Sequence, residues 1–284
     1  MTNRLQFLIE GSISLLKRAE PLALEMNPKG FILAFSGGKD SIVIYRLAQM
    51  ADIKFEAHYN VTTLDPPENV RFIRKEYPEV ISDYPQMTFL QLIRKQKILP
   101  MAQMRYCCRY LKESSHPSTV TITGVRHEES SQRAHAGELR IMGRKFEGSF
   151  DQFNRENKVE HSCVLGKDKI TLQPILNWKT ADIWEFIREE KLKYCPLYDE
   201  GFTRIGCLFC PMTSIKDIRM QERRYPKYRA AIVRTIGKMV EDGDFHELQK
   251  TFPDIKSEEI YKAWTSKRAY KPFIYELRHQ GELF

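Results

Sequence analysis

No window of this 284-residue chain approaches the ~18 uncharged apolar residues that a membrane-spanning helix needs, which argues against an integral helical membrane protein. The N-terminus lacks the unbroken apolar core of a secretory signal, because Arg4, Glu10, Lys17, Arg18 and Glu20 interrupt every candidate stretch. Leu5, Leu8, Leu15, Leu16 and Leu22 read instead as one face of a leading helix, and a cytoplasmic setting is the expectation. There is no internal repeat and no low-complexity tract, which sets aside solenoids and disordered scaffolds. The glycine spacing of a P-loop, ending in Gly-Lys-Ser/Thr, is missing as well.

What is present suits a globular α/β protein. Apolar residues are 42% and aromatics 11% of the chain, enough to build a proper core in one large domain or a domain with an appendage. The net charge is +8, unevenly spread. Between Lys216 and Lys238 stand Lys216, Arg219, Arg223, Arg224, Lys227, Arg229, Arg234 and Lys238 against only Asp217 and Glu222, a local excess of +6. Tyr225 and Tyr228 lie inside this tract, a combination that can neutralise phosphates and stack on bases, or simply form a solvated helix face.

Along the chain, Phe31 to Phe35 is a short apolar run bounded by Gly30 and reads as a buried strand. Ile42, Val43, Leu47 and Met50 then repeat at helical spacing. Further strands are expected at Phe55 to Thr62, at the β-branched run Thr119 to Thr123, and at Ile170 to Leu176. Helices are expected over Glu68 to Tyr77, over Phe89 to Lys97 and after a capping Thr180, with Asp182 in the first turn. Alternating strands and helices predict an α/β domain with a largely parallel sheet between helices. Ala134 to Lys169 is polar and weakly periodic, and reads as a long excursion or a mobile loop. The expected organisation is an N-terminal helical segment (1–28), a nucleotide-binding domain (29–205) and a helical C-terminal region (206–284) opening with Cys207-x-x-Cys210.

Ser36-Gly37-Gly38-Lys39-Asp40-Ser41 directly follows the first strand and opens a helix. Two adjacent glycines let a ligand approach the main chain, and the helix adds the positive end of its dipole. The two serine hydroxyls and the Lys39 ammonium complete an anion-binding set.

This hexapeptide resembles the pyrophosphate loop of the N-type ATP pyrophosphatases and of the phosphoadenosine phosphosulfate (PAPS) reductase family. Three further blocks resemble the PAPS reductase branch: Gly124-Val125-Arg126-His127-Glu128-Glu129-Ser130-Ser131-Gln132-Arg133, Pro174-Ile175-Leu176-Asn177-Trp178 through Asp182-Ile183-Trp184, and Pro196-Leu197-Tyr198-Asp199 through Gly206-Cys207-Leu208-Phe209-Cys210-Pro211. The resemblance implies the adenine nucleotide alpha-hydrolase-like fold. It also implies that Ser36, Gly37, Gly38, Lys39, Asp40 and Ser41 hold the phosphates or sulfate, with Gly124, Arg126 and Arg133 reaching the nucleotide across the strand ends. Asp65, after the second strand, is a candidate for Mg²⁺ or ribose, or an ordinary turn residue.

The six cysteines are Cys107, Cys108, Cys163, Cys195, Cys207 and Cys210. A reducing compartment favours metal or catalysis over disulfides for such clustering. Cys107-Cys108 and Cys207-x-x-Cys210 supply four soft ligands, a set for tetrahedral zinc or a [4Fe–4S] cluster. The assimilatory adenylyl-sulfate reductases, similar in having an adjacent pair and a later C-x-x-C, point to the cluster. Those reductases use a nucleophilic cysteine in a C-terminal segment, whereas no cysteine follows Cys210 here. Cys163, near His161, Lys167 and Lys169, is the candidate reactive thiol; Cys195 reads as unreactive.

The resulting expectation is an ATP pyrophosphatase that adenylates an acceptor for sulfur transfer, resembling the enzymes of DNA phosphorothioation and tRNA thiolation. Lys39, Arg126 and Mg²⁺ would neutralise the phosphates, a cysteine desulfurase would supply sulfur, and the Lys216 to Lys238 tract would meet nucleic acid. The alternatives are a phosphoadenylyl-sulfate or adenylyl-sulfate reductase, and a non-catalytic nucleotide-binding regulator.

Overall fold

The computed structural model describes residues 1–113, 115–129, 133–141, 146–156 and 169–279. Tertiary contacts divide them into two units: Met1–Asn60, Pro67–Asp83 and Ser114–Ile205 form the first, and Val61–Pro66, Tyr84–Glu113 and Gly206–Phe284 form the second.

The first unit is built on a seven-stranded sheet of order β3-β2-β1-β4-β7-β5-β6. Its strands are β1 (Phe31–Ala34), β2 (Phe55–Asn60), β3 (Ile81–Asp83), β4 (Val120–Ile122), β5 (Leu139–Ile141), β6 (Phe146–Gly148) and β7 (Ile170–Leu172). The five strands from β3 to β7 run parallel. β5 is antiparallel to β7, and β6 to β5. Phe31, Ile32 and Leu33 are all buried, the unalternating pattern of a strand covered on both faces. The sheet is therefore largely parallel, as the alternation of elements predicts.

The flanking helices are α1 (Asn3–Met26), α2 (Lys39–Met50), α3 (Pro67–Glu76), α6 (Phe150–Glu156) and α7 (Thr180–Glu189). Thr2 caps α1 by accepting the Leu5 amide. Leu5, Leu15, Leu16 and Leu22 are buried along it, as their spacing suggests. Arg4 grips Asp182 of α7 through two bonds of 3.0 Å. Trp178 donates its indole N–H to Ser12 Oγ at 3.1 Å, and Ser12 donates to the Pro174 carbonyl at 2.7 Å. A buried tryptophan N–H and a mid-helix serine thus satisfy each other.

Two local expectations are corrected. Lys179, not Thr180, occupies the cap position of α7: its amide donates to Asp182 Oδ2 at 2.7 Å. Thr180 instead gives its amide and hydroxyl to Glu128 Oε2, at 2.6 and 2.7 Å. The expected excursion from Ala134 contains the β5–β6 hairpin and α6. Three-residue strands are too short to impose a readable period. Residues 157–168, with Cys163, His161 and Lys167, lie outside the described residues.

The second unit is helical. It holds α4 (Phe89–Gln96), α5 (Tyr106–Cys108) running into a π-turn at Arg109–Glu113, α8 (Ile215–Arg224), α9 (Pro226–Glu241), α10 (His246–Thr251), α11 (Ser257–Ser266) and α12 (Tyr270–His279). Thr88 and Gln91 form a reciprocal capping box on α4. Trp264 donates its indole N–H to the Pro100 carbonyl at 2.6 Å inside a core that includes Leu92, Ile93, Ile232, Ile236 and Tyr261. No helix among the described residues is long and apolar enough to cross a membrane.

Candidate functional site

The β1-to-α2 loop is held in one shape by its own side chains. Gly37 has φ +71°, and a Cβ there would stand 2.3 Å from Asn69 Oδ1, so only glycine fits. Asn69 in turn donates to the Ser36 carbonyl at 2.9 Å. Gly38 occupies the N-cap of α2. Ser41 Oγ donates to the Gly38 carbonyl at 2.8 Å, accepts the Ser36 amide at 3.2 Å, and lies 3.3 Å from Ser36 Oγ. The two serines therefore brace the loop from inside.

The first amides of any helix lack intrahelical partners, and here they open at the loop. The Lys39 amide donates to Tyr198 Oη at 2.8 Å. Tyr198 stands in the Pro196–Asp199 block, whose pattern alone gives it no role, and burial pushes its hydroxyl above the ordinary range. Lys39 is only 6% exposed, and its Nζ lies 3.1 Å from Asp40 Oδ2.

Arg126, expected on the nucleotide, is 3% exposed, and its described bonds go to protein partners. Nε donates to Asp40 Oδ1 at 2.8 Å, and Nη1 to Glu128 at 2.9 Å, with the Trp178 carbonyl and Thr180 Oγ1 at 3.3 Å. The result is a chain of alternating charge, Lys39–Asp40–Arg126–Glu128. Hydrogen bonds from Thr180, and then Arg126, hold the Glu128 carboxyl below the usual carboxylate range. A Cβ on Gly124 would stand 3.1–3.3 Å from Asp40, so the turn after β4 passes close over the start of α2. Arg133 pairs with Glu129.

In the second unit, Cys107, Cys108, Cys207 and Cys210 line one cavity with Lys112 and the apolar Phe89, Leu111 and Trp264. Cys107 and Cys108 share the single turn of α5 before the π-turn, a local irregularity common at functional sites. Phe209, between the later pair, has φ +55°. Its amide donates to the buried Gln221 Oε1, and the Leu208 amide to the Leu64 carbonyl, each at 2.7 Å. Gln221 and Leu64 thus pin the turn that aims Cys207 and Cys210. The Cys107 S–H, together with Lys112 and Arg105, draws the Cys108 thiol down to about 6, whereas its hydrogen bond to Cys108 and burial push Cys107 up. The Cys207 sulfur raises the Lys112 ammonium.

Cys195 is buried, and burial pushes its thiol up, against reactivity. Asp65 accepts the Thr62 amide at 2.7 Å and closes a turn. Of the basic tract, Lys216, Arg219, Arg223, Arg224, Lys227, Arg234 and Lys238 are exposed. Arg229 is drawn inward onto Glu222, Glu258 and the Tyr261 ring, 4.9 Å away.

Comparison with known proteins places these features in a family. The chain is 27% identical over 217 residues to an uncharacterized protein of Methanocaldococcus jannaschii, covering 72% of this chain and 40% of that one. A second uncharacterized protein of the same organism is also 27% identical, with 52% of its length spanned, so the chain covers about half of these relatives. An adenosine 5′-phosphosulfate reductase of Lysinibacillus sphaericus is 23% identical, over 66% of this chain and 77% of the relative. Among solved structures, FMN adenylyltransferase of Candida glabrata with FAD and pyrophosphate aligns at TM-score 0.48 and 17% identity, over 72% of this chain and 64% of that one. The sequence pattern of the phosphoadenosine phosphosulfate reductase domain matches residues 30–213, from the glycine before β1 to just past the Cys207–Cys210 turn, and the chain belongs to that family.

Proposed function

We propose that this chain is an ATP pyrophosphatase that activates an acceptor for sulfur transfer. The acceptor oxygen bonds to the α phosphorus of ATP, the bond to the bridging α–β oxygen breaks, and pyrophosphate leaves. A sulfur donor then attacks the acceptor centre that carries AMP, and AMP departs with the oxygen. The observation that carries this reading is the braced Ser36–Ser41 loop, which presents the N-terminus of α2 beside a buried lysine. Gly37, Gly38, Asp40 and Ser41 give the loop its shape, and a phosphate oxygen would displace Tyr198 from the Lys39 amide. Lys39 exchanges Asp40 for a phosphate oxygen, and Arg126 keeps Asp40 in place rather than touching the ligand. Such catalysis is positioning plus charge neutralisation.

The four thiolate donors facing one cavity fit a [4Fe–4S] cluster, with zinc as the alternative. When bound, the cluster supplies electron transfer or an iron site for sulfur. The exposed basic residues of α8 and α9 favour a nucleic-acid acceptor, in DNA phosphorothioation or tRNA thiolation, with a cysteine desulfurase as sulfur source. Pyrophosphate release from ATP, assayed with anaerobically purified protein, tests the proposal. Absence of turnover with every nucleic acid and small acceptor tried, alongside sulfite formation from adenylyl sulfate, sinks it.

That second outcome is the alternative reading, a sulfonucleotide reductase, favoured by the paired cysteines that this chain shares in pattern with adenylyl-sulfate reductases. It requires a further thiolate to attack the substrate sulfur, and Cys163 is the candidate.

A further inference from the structure

His58 lies in β2, Asp83 ends β3, and His116 stands in the loop before β4. One donor atom from each lies within 4.8 Å of the other two. Both imidazoles converge on the same carboxylate oxygen: His58 Nδ1 is 3.0 Å and His116 Nε2 is 2.9 Å from Asp83 Oδ2. The two rings are only 4.1 Å apart, tilted by 61°.

The convergence is the informative feature. Read as hydrogen bonds, it sends two N–H groups to a single oxygen while the rings crowd together. His58 is 6% exposed, yet its Nε2 is buried without a hydrogen-bond partner. Read as ligation, the geometry is ordinary. With metal–nitrogen and metal–oxygen bonds of ~2.0–2.1 Å, neighbouring donors around one ion stand about 3 Å apart.

The surroundings hold the three groups ready. His116 adopts φ +55°, and its carbonyl accepts from Thr119 Oγ1 at 2.8 Å. The adjacent Ser115 carbonyl accepts from Lys169 Nζ at 3.0 Å. His58 is fixed by its register in the sheet, paired with Ala34 on one side and Ile81 on the other.

We propose that His58, Asp83 and His116 bind a divalent transition-metal ion, zinc or a neighbour in the first row, at a site separate from the four cysteines. Two imidazoles and one carboxylate suit such ions rather than Mg²⁺ or Ca²⁺, which prefer all-oxygen shells. Three protein ligands leave one position for water. Asp83 is the last residue of the first unit before the chain enters Tyr84–Glu113, and His116 follows directly on its return. The ion therefore clips together the exit and re-entry points of the chain, and stabilises the fold by an amount that grows with the logarithm of its free concentration above the dissociation constant.

Anaerobic titration of the full chain with Co²⁺ tests this, because cobalt reports its ligands. The expected result is one equivalent showing a nitrogen–oxygen spectrum without thiolate-to-metal charge transfer. That equivalent disappears in His116→Gln and in Asp83→Asn, and survives in Cys207→Ser. Circular dichroism checks that each variant is folded; should Asp83→Asn unfold, His116→Gln, on a partly exposed loop, decides alone. The proposal is overturned if all bound cobalt shows thiolate absorption, if no cobalt binds, or if folded His116→Gln binds as much as the parent.

Discussion

The backbone amide of Lys39 donates to the phenolic oxygen of Tyr198 at 2.8 Å, across 159 residues of sequence. The first amide of α2 is thereby satisfied within the protein. Replacing Tyr198 with Phe strands that amide, and the resting protein is expected to lose about 1–3 kcal/mol of stability. Equilibrium denaturation checks this. ATP should restore more melting temperature to the variant than to the parent if a phosphate oxygen takes the vacant amide.

Lys39 is the only cationic residue within Ser36–Ser41, the loop proposed to hold the phosphates. Lys39→Ala is expected to lower pyrophosphate release on the order of 10²-fold while leaving the far-ultraviolet spectrum unchanged. Survival of full activity would mean that the loop is assigned to the wrong task.

Gly37→Ala meets both a left-handed backbone and the Asn69 amide oxygen. A destabilisation of about 1–3 kcal/mol is expected, read as a lower denaturation midpoint. Gly201, also at positive φ but with open space around its missing Cβ, serves as the control, with a smaller loss from the backbone alone.

Glu128 gives a pH signature. Its carboxyl is held below the ordinary range by Thr180 and Arg126, so the folded form binds its proton less readily than the unfolded chain does. The stabilisation is in place above the unfolded carboxylate pKa and is lost as pH falls through the lowered folded value. Melting temperatures of the parent and Glu128→Gln should differ at neutral pH and converge in acid. A gap that widens in acid would contradict this arrangement.

Cys207→Ser removes one thiolate from the cavity. Anaerobically purified parent is expected to be brown, with about four irons per chain, and the variant to lose most of its iron and its visible absorption. A colourless parent with a single zinc would instead make the site a structural one.

The sequence made some of this legible and hid the rest for physical reasons. Phe31 to Phe35 is a continuous apolar run followed by a 3.6-residue period, so β1, the loop and α2 could be read directly. The cysteine pairs announce themselves by spacing, and the structure brings all four to one cavity. Strands β3, β5 and β6 have three residues each and carry no period to read. Arg126 stands in a recognisable motif with Glu128 two residues on, but its partner Asp40 emerges only when β4 is laid beside β1. Tyr198, Gln221 and the His58–Asp83–His116 cluster act through contacts far apart in the chain, which no local window contains.

Among the described residues, the sheet ends on both sides in very short strands: Ile81–Asp83 at one margin and Phe146–Gly148 at the other. A margin of three residues offers a neighbouring molecule few open backbone groups on which to continue the ladder. Two proteins meeting edge to edge therefore gain little, and concentrated solutions should resist fibrillar growth seeded from the native sheet.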